Sequence, residues 1–299
     1  MILNSFNSRL GIALRNIALG IRHSAMTEQE ADIFADTTLL CASREMPEIA
    51  GYVSEEQEEL VWVGGSGGHG MGEAPSGETV LVLAVDPLDG TSNVDADVSV
   101  GTIYCVYEME VRSRRLVRIV TAGYCIYGFA TLWVRCRGEA AGLEVLRLHE
   151  RGHFVKERVI TAAGTGKMYC VNHSYEYEAK VESLISCFKR AGYAFRWVGC
   201  LIADVHQIIA KGGVYMYPAT STHTSGKIRL VYEAIPAAYI LSQVGGAGLD
   251  CRGLDLVDSL GGIVLEGKAC HARSPVFLCT PEAAEIVREA FLNVKKSKK

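Results

Sequence analysis

The most constraining stretch of this chain is an apolar run that ends in two carboxylates. Residues 79–85 read Thr-Val-Leu-Val-Leu-Ala-Val, with no charge and many β-branched side chains. Such a run is expected to form a strand buried on both faces. A strand of that kind needs a layer of structure on each side of its sheet. Asp86-Pro87-Leu88-Asp89-Gly90 follows at its carboxyl end, and Thr91 and Ser92 follow those. Pro87 fixes the backbone between the two acids, and Gly90 frees the turn after them.

The patterns around this run alternate between strand and helix. Leu10, Leu14, Ile17 and Ile21 recur at helical spacing with Arg15 and Arg22 off that face, which predicts an amphipathic helix. A second helix is expected over 32–43. Strands are expected over 98–108 and 115–127, with 131–134 and 142–148 continuing an antiparallel sheet. Helices are expected over 176–191, 204–210 and 229–244, the last closed by Gly245-Gly246. Pro281 opens a final helix reaching about Phe291, with Thr280 as its N-cap. The glycines between 64 and 77 read as a surface loop, and the GK[ST] ending of a phosphate loop is absent from them.

With 299 residues, 49% of them apolar, there is ample material for a large core. The formal net charge of −4 argues against a general binder of nucleic acid or anionic membrane. No apolar run reaches the ~18–20 residues of a membrane span, and the first residues lack a signal-peptide layout. The ten Cys are scattered without a CxxC pair, so reduced thiols and a cytoplasmic location are expected.

Paired carboxylates at a strand end, with a backbone carbonyl beside them, suit a hard cation such as Mg²⁺ or Mn²⁺. The amides and hydroxyls of Thr91 and Ser92 suit phosphate oxygens. Glu55-Glu56 forms a second acidic element, explained either by a nearby cation or by a solvated acidic turn with Glu58 and Glu59. Glu233 sits in an otherwise apolar stretch and needs a partner or a metal. Lys227 and Arg229 precede it as phosphate donors or as a helix-start charge cluster. His206, beside Asp204, reads as a structural histidine; His69 and His223 read as exposed loop residues.

The stretch from Asp86 to Asn93 resembles the metal motif of the lithium-sensitive phosphatase superfamily. The flanks narrow the resemblance. Val53-Ser54-Glu55-Glu56, Val98-Ser99-Val100-Gly101-Thr102-Ile103-Tyr104, Arg196-Trp197-Val198-Gly199, Ala203-Asp204-Val205-His206, Met216-Tyr217-Pro218-Ala219 and the 226–233 stretch are similar to class I fructose-1,6-bisphosphatase and its relative sedoheptulose-1,7-bisphosphatase. The resemblance covers about residues 7–290. The Trp-Asp-x-Ala-Gly-type motif of the inositol phosphatase branch is not in the sequence.

The resemblance implies an α/β (α+β) fold of the layered sugar-phosphatase kind. It is an αβαβα arrangement, two mixed sheets sandwiched by helices. An N-terminal metal-binding half, 1–160, and a C-terminal substrate-binding half, 161–299, are expected to pack as one unit. It implies hydrolysis of the C1 phosphate of a ketose bisphosphate, fructose-1,6-bisphosphate first and sedoheptulose-1,7-bisphosphate close behind. Two or three Mg²⁺ or Mn²⁺ are implied, held by Glu55, Asp86, Asp89, Glu233 and the Leu88 carbonyl. Glu56 and Asp32 match the pair that polarises the attacking water. Gly90, Thr91, Ser92, Lys227 and Arg229 match contacts to the reacting phosphate and sugar. Asn172, Tyr175, Tyr217 and Lys227 match the pocket for the distal phosphate. Arg196 matches an arginine that reaches a neighbouring subunit, implying a homo-oligomer, dimer or tetramer. An inositol- or nucleotide-type phosphomonoesterase and a non-catalytic sugar-phosphate sensor are the remaining alternatives.

The departures from the pattern carry expectations too. Val80, Leu81 and Glu108 stand where the family's AMP site has Lys, Tyr and Arg, so AMP inhibition is expected to be absent. The connection 24–31 is shorter than the family's regulatory loop. Trp197 replaces a Tyr of the distal-phosphate pocket, and an indole donates one hydrogen bond but accepts none.

Overall fold

The computed structural model describes residues 4–64, 72, 74–75, 77–138, 141–172 and 176–292. Most of the Gly-rich 64–77 stretch, with His69, lies outside the described residues, as does Tyr175. Helices α1 (Asn4–His23) and α2 (Glu28–Arg44) open the fold. A capping box starts α2: Thr27 Oγ1 accepts from the Glu30 amide, and the Glu30 carboxylate accepts from the Thr27 amide.

Eight strands follow: β1 (Ile49–Ser54), β2 (Val61–Trp62), β3 (Thr79–Asp89), β4 (Val100–Glu110), β5 (Leu116–Tyr127), β6 (Thr131–Cys136), β7 (Leu143–Leu148) and β8 (Phe154–Ile160). They form one sheet in the order β2-β1-β3-β4-β5-β6-β7-β8, with only β1 and β3 parallel. A second sheet is built from β9 (Met168–Val171), β10 (Ala194–Phe195), β11 (Val214–Tyr217), β13 (Ala247–Leu249) and β15 (Val276–Cys279), in the order β10-β9-β11-β15-β13. The short pair β12 (Ile228–Arg229) and β14 (Arg273–Ser274) stands apart. The remaining helices are α3 (Ala179–Arg190), α4 (Leu201–Lys211), α5 (Ile235–Ser242) and α6 (Pro281–Leu292).

Strand alternation distributes the core over the layers. Leu83, Val85, Tyr104 and Val106 face α1 and α2, in a cluster with Leu10, Leu14, Ile17 and Leu39. Their neighbours Val82, Ala84, Ile103 and Cys105 face the other way, onto α4, α5 and the inner face of the second sheet. The outer face of that sheet, with Val214, Met216 and Phe277, packs on α3 and α6. The result is five layers, αβαβα, as the sequence implied.

One local expectation is corrected. The stretch 229–244 is not one helix: Leu230–Ala234 is a π-turn that leads into α5. Pro236 lacks the amide that an α-helix would give to the Tyr232 carbonyl, and a wider turn accommodates that loss. The Thr280 hydroxyl serves Gly213, accepting from its amide and donating to its carbonyl, both at 3.1 Å. It joins α6 to the β11 edge. All ten Cys are free thiols, and among the described residues no helix is long and apolar enough to cross a membrane.

The first sheet and the middle layer approach closely at Gly101. A Cβ there would lie 2.4 Å from Ile202 Cγ2 and 2.8 Å from the Cys125 carbonyl oxygen. Gly101→Ala is expected to lower stability by roughly 1–3 kcal/mol through overpacking. Gly261→Ala, with nothing within 4 Å of the new Cβ, is expected to stay within ~0.5 kcal/mol. Paired urea titrations measure both, and equal midpoints would refute the packing account.

Candidate metal and phosphate site

Residues three apart in a regular strand face opposite ways. Asp86 and Asp89 do not, because β3 carries a bulge between them. Asp86 pairs with Ile103 and Asp89 with Gly101, three steps on one strand against two on the other. Pro87, without an amide, sits inside that irregularity. The bulge brings both carboxylates to one place, where Glu233 meets them from the π-turn. One oxygen of each lies within 4.8 Å of the others, and all three side chains are buried.

Three buried carboxylates at this separation repel. Burial, with Glu55 and the neighbouring acids, pushes Asp86 and Glu233 well above the usual carboxylate range. Asp89 rises only to about 6: burial pushes it up, and three donors hold it down. They are the amides of Leu201 (3.2 Å) and Ile202 (2.6 Å) and the thiol of Cys200 (3.0 Å). The first two are the opening amides of α4, so Asp89 caps a helix of the other half of the chain. The donor set, all hard oxygen and short of neutralising charge, fits Mg²⁺ or Mn²⁺.

Cations and further acids surround the trio. The Arg229 amide donates to Glu233, and its guanidinium lies 3.3 Å from Glu55. Its Nε is buried without a hydrogen-bond partner. Lys227, two residues earlier, is exposed. Asp32 projects from α2, where burial first, and Glu56 next, push it up to about 7, while a hydrogen bond to Thr91 opposes them. Burial and Glu55 raise Glu56 too. Gly90 holds φ +82, and a Cβ there would lie 2.6 Å from Cys200 Cβ, so the turn into Thr91 and Ser92 requires glycine.

The remaining predicted residues form a separate group. Trp197 stacks on Tyr215 with ring centroids 5.9 Å apart and planes 10° apart, and Tyr217 lies beside it at 6.3 Å. Asp204 accepts from the Val198 and Gly199 amides and fixes the backbone behind Trp197. Asn172 is half-buried and accepts from Tyr177. Arg196 is exposed, and its guanidinium donates to the carbonyl of its neighbour Phe195. His206 is structural: its Nδ1 meets the Tyr124 hydroxyl at 2.8 Å, and burial depresses its pKa to about 4. His223 is half-buried and hydrogen-bonded to Thr222, not an open loop residue.

Sequence reasoning missed two supports. Cys200 and the start of α4 hold Asp89. The available signal was a helix that begins Cys-Leu-Ile with no capping side chain of its own. Asp36, one turn beyond Asp32, accepts from the Tyr52 hydroxyl at 2.8 Å and from Gln57 at 2.5 Å. It ties the acidic 55–59 turn to α2.

The chain is similar to known proteins over most of its length. The fructose-1-6-bisphosphatase N-terminal domain family matches residues 17–158, and the C-terminal domain family matches 162–291. Fructose-1,6-bisphosphatase class 1 of Synechococcus elongatus is 30% identical, over 90% of this chain and 82% of its own length. The holo crystal structure of Leishmania major fructose-1,6-bisphosphatase superposes with a TM-score of 0.81, over 97% of this chain and 95% of that one, at 24% identity. That likeness is one of fold.

The crowded acids fix a pH response. Asp89 and Asp32 titrate near 6 and 7 in the fold, against 3.8 ordinarily. Between those values the folded state holds more protons than the unfolded one, so metal-free stability falls as pH rises from about 4 to about 7. Saturating Mn²⁺ or Mg²⁺ is therefore expected to raise the melting temperature more at pH 8 than at pH 5. Taking the difference with and without metal cancels the opposite contribution of His206. An equal shift at both pH values would show that these acids do not meet the ion.

Proposed function

The chain belongs to the fructose-1,6-bisphosphatase family, and we propose that it hydrolyses the C1 phosphate of a ketose bisphosphate, fructose-1,6-bisphosphate foremost, with Mg²⁺ or Mn²⁺. The family makes it a sugar-bisphosphate phosphatase. One observation carries the finer reading: the buried Asp86, Asp89 and Glu233 oxygens converge beside an Arg229 donor that has no partner.

Asp86, Asp89, Glu233, Glu55 and the Leu88 carbonyl would hold the metal ions, two or three per site. A bound metal would supply positive charge to the reacting phosphate and would acidify water. Phosphoryl transfer asks for charge neutralisation and in-line placement more than covalent help. Arg229, through its free Nε, and Lys227 donate charge-assisted hydrogen bonds to the phosphate oxygens. The turn at Gly90, Thr91 and Ser92 adds backbone and hydroxyl donors. Burial first, and the Glu56 charge next, raise Asp32 to about 7, and burial and Glu55 raise Glu56 above its ordinary value. A Glu56 carboxylate oxygen accepts the proton of the attacking water, and Asp32 holds that oxygen's neighbourhood in register through Thr91. Asn172, Tyr217 and Trp197 receive the distal phosphate, whose binding sets the position of C1; Tyr175 lies outside the described residues.

The seven-carbon alternative rests on Trp197. Its ring is stacked on Tyr215 and 38% exposed, and it offers the distal phosphate no hydroxyl. The chain acts as a cytoplasmic homo-oligomer, dimer or tetramer, with Arg196 reaching the neighbouring site. In support, Arg196, Phe195 and Trp197 form an exposed ledge. AMP does not inhibit it: Glu108, at the position of the family's arginine, pairs with Arg118 at 2.6 Å.

Asp89→Asn keeps a cap acceptor for α4 and removes a metal ligand. Turnover is expected to fall by at least about 10²-fold with the circular-dichroism spectrum unchanged. Wild-type turnover in that variant would end the metal mechanism. Phosphate release from fructose-1,6-bisphosphate and sedoheptulose-1,7-bisphosphate, measured in parallel with Mg²⁺, decides the substrate. A kcat/KM ratio above about tenfold, roughly 1.4 kcal/mol, is expected in favour of the six-carbon sugar. The reverse ratio would assign Trp197 to a pocket reshaped for the longer one.

A further inference from the structure

A cavity of about 550 Å³ opens between the end of α1, the turn before β4 and the β5–β6 hairpin. None of the catalytic or phosphate-binding residues above lines it. Arg22, Asp97, Ser99, Tyr127, Phe129 and Thr131 form its wall. Its volume lies in the range of small-molecule sites.

Three features mark it as built for a ligand. Thr131 is 4% exposed, and its hydroxyl oxygen is buried without a hydrogen-bond partner. A buried hydroxyl left unpaired is unfavourable unless something arrives to meet it. Phe129, at the hairpin tip beside the cavity, is fully exposed. At Gly128 a Cβ would lie 2.4 Å from the Ser99 hydroxyl oxygen, so the glycine lets Ser99 seat against the hairpin at the cavity wall.

The wall is also wired to the carboxylate cluster. The Tyr127 hydroxyl meets Thr102 Oγ1 at 2.7 Å, and Thr102 donates onward to the Pro87 carbonyl at 2.8 Å. Pro87 lies inside the bulge that brings Asp86 and Asp89 together. The Ser99 carbonyl accepts from Asn93, which also donates to Val198 beside Trp197, both at 3.1 Å.

We propose that this cavity is an effector site for a sugar monophosphate, read at the active site through Thr102 and Asn93. Among the described residues Arg22 is the one cation of the wall, and it takes the phosphate as a charge-assisted donor. Asp97 accepts from sugar hydroxyls and repels a second phosphate, which excludes bisphosphates. Ser99 and Thr131 pair with the remaining hydroxyls, and the rings of Tyr127 and Phe129 cover the apolar face of the sugar. The coupling half rests on the phosphatase reading; the binding half does not.

The test uses the metal-loaded full chain and two probes, ribose 5-phosphate and inorganic phosphate, by calorimetry. Wild type is expected to bind ribose 5-phosphate. Arg22→Ala is expected to weaken it by about tenfold or more, and Thr131→Val by about threefold. Without ligand, Thr131→Val should melt no lower than wild type, since it removes an unpaired hydroxyl. Lys227→Ala, in the phosphatase site, should leave this binding in place. Ribose 5-phosphate should also change wild-type turnover, and the same change in Arg22→Ala should need about tenfold more of it. No binding to wild type, equal binding by both cavity variants, or loss of binding in Lys227→Ala overturns the site. Equal affinity for inorganic phosphate overturns the sugar. Binding that leaves turnover unmoved overturns the coupling. Failure to hydrolyse any ketose bisphosphate would sink the phosphatase reading and leave the binding result standing.

Discussion

The contact on which the site depends is the cap that Asp89 places on α4. The helix starts at Leu201 without a capping side chain of its own, and its first amides need an acceptor. Asp89 supplies one from a strand more than a hundred residues earlier in the chain. A cap of this kind is worth about 1 kcal/mol in ordinary helices. Here it also settles an electrostatic question. Asp86 and Glu233 are driven well above the normal range, whereas Asp89, equally buried, stops near 6. Three donors, two amides and a thiol, oppose burial at Asp89, against the Arg229 amide at Glu233 and the Leu88 amide at Asp86. The helix terminus therefore keeps one carboxylate of the trio poised to ionise before any cation arrives, and it fixes which one.

That contact also explains why the site lies at the seam of the layers. The first sheet delivers the bulged strand, the middle layer delivers α4 and the π-turn, and the second sheet delivers the aromatic shelf of Tyr215 and Tyr217. No single layer could hold the arrangement. A strand contributes side chains at period two, and a helix at three or four. Converging Asp86, Asp89 and Glu233 within 4.8 Å requires an irregularity in each element. The β-bulge at Pro87 and the π-turn before Pro236 are those irregularities, and both rest on a proline that lacks an amide.

Much of this was legible from residues. The apolar 79–85 run demanded cover on both faces, and five layers supply it. The carboxylates after it announced a cation, and Glu233 was conspicuous as a charge in an apolar stretch. The irregular geometry was not legible. Asp86 and Asp89 at a spacing of three argue for opposite faces of a strand, and only the pairing with Ile103 and Gly101 shows otherwise. The stretch around Glu233 carries helical periodicity that a π-turn preserves nearly intact, so periodicity alone cannot separate them. Asp36 and Cys200 were invisible because their partners, Gln57, Tyr52 and Asp89, are adjacent only in the fold. Propensity reports on neighbours in sequence; capping across layers is a tertiary fact.

The balance of charge gives the site its order of events. Asp32, Glu55, Glu56, Asp86, Asp89 and Glu233 crowd a region in which Arg229 pairs with Glu55, and Lys227 is exposed two residues before it. A phosphate ester is itself an anion and meets a repulsive field there as long as the acids are uncompensated. Arg229 cannot reverse that field, because its guanidinium already leans on Glu55 and its amide on Glu233. What it retains is the buried Nε, one donor with a fixed direction. The acids must therefore be neutralised first, by protons at low pH or by divalent cations at neutral pH. Only then can Arg229 and Lys227 act as attractors. Under the proposed function, cation binding is thus a condition for admitting the substrate as well as for the reaction, and protonation cannot replace it. Protons would quench the same carboxylates, Glu56 among them, that the proposed reaction needs ionised.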